Sequence, residues 1–371
     1  MYRRAGFLFS GGAEMSDAKF DDGLKQYLVE EFIEDYQHGQ LTRRDALKRL
    51  TGLVGASAAA ALIAACAPAV QSTPTTAPQP SAAPPTNPAT AVPMAATPTT
   101  APSATTTAAT ATIASPDPTL TTEATNTVTA GTNNVPVSPD DPAIQASDVT
   151  FPSQGATIAG YLARPAGNGT YPAILVAHEN RGLTDHIKDV TRRLAKAGYV
   201  ALAVDLLSRE GGTAKVGASG VPGVLGNTPP AQMVGDFAAA LEYLKQRDFV
   251  APGQFGMTGF CFGGGMTWRA ATQIPELRAA VPYYGPNPPL EDVPKIQAAV
   301  LAQYGGNDAR INSGIPAIEK AMKDNNKIFE YMIYKGANHA FNNDTGPNYN
   351  AQAANEAWAK TLAWFDKYVR G

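Results

Sequence analysis

The stretch from Gly253 to Gly265 constrains the fold of this chain most strongly, because it joins a short β-type run to a helix-compatible run. It reads G-Q-F-G-M-T-G-F-C-F-G-G-G and places Cys261 between Gly259 and Gly263. A turn this tight holds its central residue in strained φ/ψ and requires small residues two positions before and after it. The pattern is that of a nucleophile elbow with sulfur in place of the usual serine oxygen.

Cys261 is therefore the first candidate for a nucleophile. At the first turn of a helix, its thiol would face free backbone N–H groups and the positive end of the helix dipole. Both lower the pKa of a thiol and favour the thiolate. A buried structural cysteine packed beside glycines is the alternative that the motif leaves open, since free cysteine is among the most buried residue types.

Apolar runs alternate with amphipathic runs over residues 142–371 and predict an α/β domain. Two alternating runs around a Q-G turn predict an antiparallel start. The other predicted strands span 173–177, 200–204, 254–258, 279–284, 299–304 and 328–334, and the predicted helices span 185–197, 231–246, 262–272, 315–324 and 351–368. This order favours a mostly parallel, doubly wound sheet with helices on both faces, whose functional residues lie at the carboxyl ends of strands.

Two polar residues follow later strands of this sheet. Asp308 ends the loop Y-G-G-N-D, and His339 lies in G-A-N-H-A-F after the last strand. Singly, an aspartate there is usually a turn former and a histidine a loop residue. The order Cys, Asp, His, each just beyond a strand, is however that of the α/β-hydrolase triad. We therefore expect His339 to move the thiol proton and Asp308 to fix its tautomer.

An oxyanion hole is expected beside this triad. The run H-E-N-R-G follows the first central strand, so the backbone N–H groups of Asn180 and Phe262 could together bind a carbonyl oxygen that gains negative charge. Glu179 would then lie close to Cys261. Arg209, beyond the next strand, could hold an anionic substrate group bidentately, although a solvated surface arginine fits the sequence equally well.

From about Ser147 to the end, the chain resembles the dienelactone hydrolase family of the α/β-hydrolase fold. The matching pieces are His178-Glu179, Asp205 through Arg209, the G-F-C-F-G-G run from Gly259, Tyr283-Tyr284-Gly285, Asp308, and His339-Ala340-Phe341. The resemblance implies that Cys261 attacks an ester or lactone carbonyl and that His339 and Asp308 serve it.

The resemblance also implies roles for the residues around the triad. Glu179 would contact the thiol and help control its ionisation, Arg209 would hold a substrate carboxylate, and Tyr284 would help to bind substrate. One departure stands out: family members that act on the dienelactone carry a second carboxylate-binding arginine where this chain has Asn343. A strict preference for the dienelactone is therefore in doubt, and we predict a thiol-dependent hydrolase of carboxylic esters or lactones with an undefined substrate.

The residues before the domain differ in composition. Residues 67–141 are dominated by Ala, Pro and Thr and are predicted to be a disordered linker. Before them, the run T-R-R-D-A-L-K from Thr42 precedes an uncharged apolar run over residues 50–65 and then Cys66. This order resembles a bacterial twin-arginine export signal that ends in a lipobox, with Cys66 lipidated. An uncleaved anchor or a buried helix is the alternative.

By this second resemblance, residues 1–66 form an export signal region, and a lipid anchor holds the domain on the outer face of the bacterial cytoplasmic membrane. We expect a monomer. Nearer the start, Leu24, Leu28, Phe32 and Tyr36 recur at helical spacing, which predicts an amphipathic helix without indicating a role. Translation could begin at Met1 or at Met15.

Composition narrows the remaining functions. The net charge of −3 and the pI near 5.9 make nucleic acid an unexpected partner. With two cysteines and four histidines, none at metal-ligand spacing, neither a metal nor a cofactor is predicted. Two other functions stay open: a surface ligand-binding module with a disabled site, and redox chemistry at Cys261.

Overall fold

The protein was analysed as a computed structural model, which describes residues 23–65 and 134–371. The predicted lipidation site Cys66, both candidate start residues and most of the predicted linker over 67–141 lie outside these ranges. The two described ranges belong to one compact unit.

Within the described ranges, eight strands form one sheet in the order β1-β2-β4-β3-β5-β6-β7-β8. Strand β2 runs antiparallel to β1 and β4, and strands β3 to β8 run parallel. The strands are β1 (Ile144–Ser153), β2 (Ala156–Pro165), β3 (Tyr171–Ala177), β4 (Val200–Val204), β5 (Val250–Phe260), β6 (Leu277–Tyr283), β7 (Ala299–Gly305) and β8 (Phe329–Tyr334). With helices on both sides, the sheet confirms the predicted α/β-hydrolase fold.

Eleven α-helices lie within the described residues. They are α1 (Gly23–Gln37), α2 (Arg43–Val54), α3 (Ala56–Ala65), α4 (Asp185–Lys196), α5 (Thr213–Val216), α6 (Val221–Asn227), α7 (Pro230–Lys245), α8 (Phe262–Gln273), α9 (Ala309–Asn312), α10 (Ile315–Asp324) and α11 (Ala351–Phe365). The long helices between strands match the predicted ones. The short helices α5 and α6 were not predicted, because glycine and proline interrupt any apolar period there. Among the described residues, no helix combines the length and apolar character needed to cross a membrane.

The central strands are apolar along their whole length because both faces of the sheet are covered. Every residue of β4 and of β7 is buried. Such strands show no alternation of apolar and polar residues, as is typical of parallel sheets covered by helices. Because β5, β7 and β8 run parallel, their carboxyl ends meet at one edge of the sheet, where the predicted catalytic residues follow them.

The N-terminal helices pack against this domain. Leu24, Leu28 and Phe32 of α1 are at most 1 % exposed, which confirms the predicted amphipathic helix. Burying each such side chain stabilises the docked helix by about 1.5–3 kcal/mol. Helix α2 lies against α6, where an added Cβ on Gly52 would be 3.2 Å from Gly223 Cα. Residues 23–65, the described part of the predicted export signal region, therefore form part of the same folded body.

The elbow at the end of β5 adopts the predicted strained geometry. Cys261 has φ of 57°, in the left-handed region, and α8 begins directly after it. A Cβ on Gly259 would lie 2.2 Å from the carbonyl oxygen of Gly263, and one on Gly263 would lie 2.3 Å from that of Ala177. Both glycines are therefore required by the close approach of strand and helix backbones.

Replacing Gly263 by alanine is expected to destabilise the fold by roughly 3 kcal/mol or to prevent folding, since the clashing atoms are backbone and cannot rotate away. Urea unfolding measures the change. Gly346→Ala is the matched control: its added Cβ would meet nothing closer than Asn343 O at 3.5 Å, so we expect a change within about 0.5 kcal/mol. Equal stability of the two variants would contradict this account of the elbow.

Candidate active site

Cys261, Asp308 and His339 lie at the carboxyl edge of the sheet, as their places after β5, β7 and β8 predict. His339 Nδ1 lies 2.6 Å from Asp308 Oδ2. The Cys261 sulfur and a ring nitrogen of His339 lie within 4.8 Å of each other. The side chain of His339 is 16 % exposed, whereas that of Asp308 is fully buried. The three groups thus form a connected set at one end of the sheet.

Asp308 is held in place by two hydrogen bonds, one to each carboxylate oxygen. Its Oδ1 accepts a hydrogen bond from Ile311 N, so the aspartate caps helix α9. Its Oδ2 accepts the Nδ1–H of His339, which leaves Nε2 as the nitrogen that faces the thiol. An aspartate in the Y-G-G-N-D loop is therefore both a turn former and the partner of the histidine.

The pKa values of this pair reflect their contact. Burial alone would lower the pKa of His339, but the Asp308 carboxylate and its hydrogen bond outweigh burial and hold it well above the usual value. Burial would raise the pKa of Asp308, but the nearby imidazole of His339 outweighs burial, so the pKa lies below its usual value. The aspartate is therefore charged, and the histidine binds a proton more tightly than a free imidazole does.

The pKa of the Cys261 thiol is shifted in the opposite direction to the predicted one. Burial, and then the nearby carboxylate of Glu31, raise the pKa of Cys261 to about 11. The predicted lowering by the start of helix α8 was wrong for this state of the protein, because desolvation and a like charge outweigh it. With α1 in place, the sulfur is held as a neutral thiol.

Comparisons with known proteins identify the family. The dienelactone hydrolase family model matches residues 158–369, which are more than half of the chain. The chain belongs to the dienelactone hydrolase family. A protein of Methylorubrum extorquens named "Putative carboxymethylenebutenolidase" is 35% identical over 62% of this chain and 84% of its own length. A Synechocystis protein of the same name is 35% identical over 61% of this chain and 98% of its own.

A solved structure agrees with this assignment. The "Putative Dienelactone Hydrolase" of Klebsiella pneumoniae is 32% identical and superposes with a TM-score of 0.57, over 61% of this chain and all of its own. Helices α1 to α3 lie before the family match begins. The chain is thus a hydrolase of this family with a helical segment added in front of the matched region.

Glu179 lies at the site but is held by an amide. Glu179 is 4 % exposed, and its Oε2 accepts a hydrogen bond of 2.7 Å from Asn343 Nδ2. Asn343 Oδ1 in turn accepts from the backbone and hydroxyl of Thr345. The asparagine at the place of the second arginine therefore anchors the glutamate to the loop after His339. The negative charge of Glu179 also contributes to the raised pKa of Cys261.

The loop after β3 is fixed by a buried histidine. Leu206 N donates to His178 Nε2, so Nδ1 carries the proton and donates to the Glu179 carbonyl oxygen at 2.7 Å. Burial lowers the pKa of His178, which keeps this ring neutral. Asn180 follows at once, and Phe262 opens helix α8, where its N–H has no carbonyl one turn earlier in the helix to bind. Asn180 and Cys261 line one cavity, and Phe262 directly follows Cys261, so the oxyanion roles of these two residues stay predictions.

The two predicted substrate-binding residues have protein partners. Both ends of the Arg209 guanidinium bind Asp236, with Nη2 2.8 Å from Oδ1, and Arg209 does not line the cavity beside Cys261 within the described part of the chain. Tyr284 is fully buried, and its ring meets that of His339 edge-on at 5.0 Å. Their roles toward substrate stay predictions.

Two residues that touch the thiol were not predicted from the sequence. Tyr27 Oη lies 3.2 Å from Cys261 Sγ and 3.3 Å from His339 Nε2, and Glu31 Oε1 lies 3.3 Å from the same sulfur. Tyr27 and Glu31 are four residues apart and share one face of α1. Two polar side chains beside the apolar stripe of this helix were the available signal.

A metal site is chemically possible at the same place. Within the described ranges, Glu31, Cys261 and His339 bring three ligand atoms within 4.8 Å of one another. Thiolate, imidazole and carboxylate together suit Zn²⁺. Assays of this thiol therefore need a chelator as a control.

Proposed function

We propose that the protein hydrolyses carboxylic esters or lactones through a thiolate at Cys261, with His339 as the base and Asp308 as its partner. The observation that carries this proposal is the elbow cysteine within reach of a histidine whose far nitrogen is held by a buried aspartate. Membership of the family favours a hydrolase over the ligand-binding module considered above.

The proposed reaction divides into acylation and deacylation. From the neutral form of the His339 ring, Nε2 takes the thiol proton, and the sulfur attacks the carbonyl carbon to form a C–S bond. The oxygen gains negative charge, which the N–H groups of Phe262 and Asn180 stabilise by several kcal/mol. Collapse of this intermediate breaks the C–O bond, and the leaving alkoxide takes the proton from His339.

Deacylation reverses these roles for water. His339 takes a proton from a water molecule, and the resulting hydroxide attacks the thioester carbonyl. The C–S bond then breaks, the carboxylic acid leaves, and the sulfur regains its proton. Throughout, Asp308 stabilises the imidazolium and keeps Nδ1 protonated, so that Nε2 can accept and return the proton.

The substrate is proposed only as a class. Relatives named carboxymethylenebutenolidase favour a lactone or ester with an enol leaving group. Arg209 would hold a substrate carboxylate only if its pair with Asp236 opened, and Asn343 supplies no second cation. We therefore propose small neutral or singly charged esters and lactones as substrates.

The location is proposed from the residues before the linker. The arginine pair begins α2, and the apolar helix α3 ends at Ala65, directly before Cys66. We propose export by the twin-arginine route, lipidation of Cys66 and attachment to the outer face of the cytoplasmic membrane. Metabolic labelling of the native host with a fatty-acid analogue would show whether Cys66 carries lipid.

An acyl-enzyme trap tests the proposed chemistry. Because Tyr27 and Glu31 of α1 contact the sulfur, the trap uses a Leu28→Asp with Phe32→Asp protein, in which two buried residues of α1 are replaced so that the helix undocks. This protein is incubated with a slowly deacylating activated ester and digested, and its peptides are examined by mass spectrometry. We expect an adduct on the peptide that contains Cys261 and none on the peptide that contains Cys66. An adduct that forms equally in the His339→Ala variant would contradict the assigned base.

A further inference from the structure

Helix α1 occupies the space that a substrate needs. Glu31 Oε1 lies 3.3 Å from Cys261 Sγ and accepts a hydrogen bond of 2.6 Å from Asn180 Nδ2. It also lies 4.0 Å from His339 Nε2. A reacting carbonyl must approach the sulfur within about 3–3.5 Å, which is where this carboxylate already sits. The carboxylate of Glu31 thus stands in for the acyl group of a substrate.

Tyr27 blocks direct proton transfer from the nucleophile to its base, which the reaction also requires. Its hydroxyl lies 3.2 Å from Cys261 Sγ and 3.3 Å from His339 Nε2, so it is placed between the nucleophile and its base. Tyr27 is 3 % exposed, and Glu31 is 6 % exposed. Neither the sulfur nor the imidazole can therefore receive a substrate while these two side chains remain in place.

The helix is held by contacts away from the thiol. Leu28 and Phe32 are fully buried on its apolar face. On its acidic side, Glu34 Oε2 accepts a hydrogen bond of 2.9 Å from Arg310 Nε, and the same guanidinium lies over the ring of Tyr27 at 4.6 Å. Apolar packing and charge complementarity thus fix α1 across the mouth of the site.

The docked helix also suppresses the reactive form of the sulfur. Burial and the carboxylate of Glu31 are the two largest causes of the raised pKa of Cys261. Removing the helix would admit water and take away that carboxylate, so both causes would weaken together. Occlusion and ionisation therefore change in the same direction.

We propose that the mouth of the active site is a helix-binding groove whose occupant is residues 23–65 of this same chain, so that the full chain is a latent hydrolase. The latency rests on the proposed function, whereas occupation of the groove does not. The hydrolase opens when the segment is displaced or cut away. Cleavage before Cys66, which the proposed lipidation requires, removes helices α1 to α3 together.

Thiol reactivity tests the groove directly. In a full-length Cys66→Ser background, iodoacetamide alkylation of Cys261 is followed by mass spectrometry with EDTA present, and hydrolysis of p-nitrophenyl acetate is measured beside it. Leu28→Asp with Phe32→Asp undocks α1 without touching the thiol. Because reactivity scales with the open fraction, we expect both rates to rise by about 10-fold or more.

Two further variants complete the experiment. The control variant, Gln26→Asp with Gln37→Asp, adds the same charge to the exposed face of α1. Its alkylation and hydrolysis rates are expected to equal those of the Cys66→Ser background. If the undocking variant does not fold, Tyr27→Ala with Glu31→Ala empties the site without burying a charge, and the same rise is expected. The proposal would be overturned if the Cys66→Ser background, the Leu28→Asp with Phe32→Asp variant and the Tyr27→Ala with Glu31→Ala variant were all folded and alkylated at equal rates.

The two readouts separate this inference from the proposed function. Faster alkylation without ester hydrolysis would support the groove and reject the hydrolase. Hydrolysis by the unmodified background at the rate of the undocked variant would reject latency and leave the hydrolase standing.

Discussion

Replacing Cys261 by alanine is expected to lower kcat/KM for an activated ester by about 10⁴-fold or more, because the covalent step then has no nucleophile. The variant is compared in the Leu28→Asp with Phe32→Asp background, where the site is open. Alanine tolerates φ of 57° no worse than cysteine does, so the elbow is retained. Lost activity would then report lost chemistry rather than lost structure.

The chain supplies its own control for this variant. Cys66 is its other cysteine, and it lies outside the described residues. In the same open background, we expect the Cys66→Ala control to hydrolyse the ester at the rate of the protein that keeps Cys66. If Cys261→Ala kept the same activity as Cys66→Ala, the thiol would not be the nucleophile, and the whole assignment of the triad would fall.

The strands and long helices were predictable because their signals are local. The predicted strand over 200–204 is β4 residue for residue, and the continuous apolar run of 173–177 lies within β3. The elbow was equally predictable, since only glycine fits where two backbones approach within van der Waals distance. These features are written in short stretches of sequence and need no knowledge of distant contacts.

The environment of the thiol was not predictable, because it depends on a distant segment. Glu31 and Cys261 are 230 residues apart in sequence and 3.3 Å apart in space. The apolar spacing of α1 predicted a helix but carried no information on where it docks. The predicted lowering of the thiol pKa failed for the same reason: the helix start was visible in the sequence, and the helix lying over it was not.

The structural role of Asn343 was also not predictable from the sequence. From the sequence it was interpreted only as a missing arginine in a carboxylate clamp. In the structure its amide holds Glu179 and its carbonyl oxygen fixes the turn at Thr345, so it has a positive structural role. A substitution defined by what it lacks relative to a family gives no information on what the new side chain binds.

The occluding helix joins the proposed export signal to the proposed chemistry. If residues 23–65 block the site and the proposed export and cleavage occur, the uncleaved precursor would be inactive and would become active only where the segment is removed. The full chain would then show slow turnover for a reason unrelated to the triad. Variants of the triad must therefore be measured with α1 displaced, so that occlusion does not mask their effects.

Asp308→Asn is expected to lower kcat by about 10³–10⁴-fold while leaving the fold intact. The asparagine Oδ1 can still accept from Ile311 N, which preserves the cap of α9. Its Nδ2, however, is a donor where Oδ2 was an acceptor, so His339 would turn to the tautomer with the proton on Nε2. That nitrogen could then no longer take the thiol proton.

The pH profile separates this tautomer effect from simple loss of structure. Asp308 holds the pKa of His339 above its usual value, so removing the charge shifts that pKa downward. In the open background, the acid limb of kcat/KM should therefore move to lower pH in Asp308→Asn while the maximum rate falls. Urea unfolding serves as the control and should change by no more than about 1 kcal/mol, since the helix cap survives. A variant with normal kcat, or with its acid limb shifted to higher pH, would show that Asp308 does not orient and charge-stabilise the histidine.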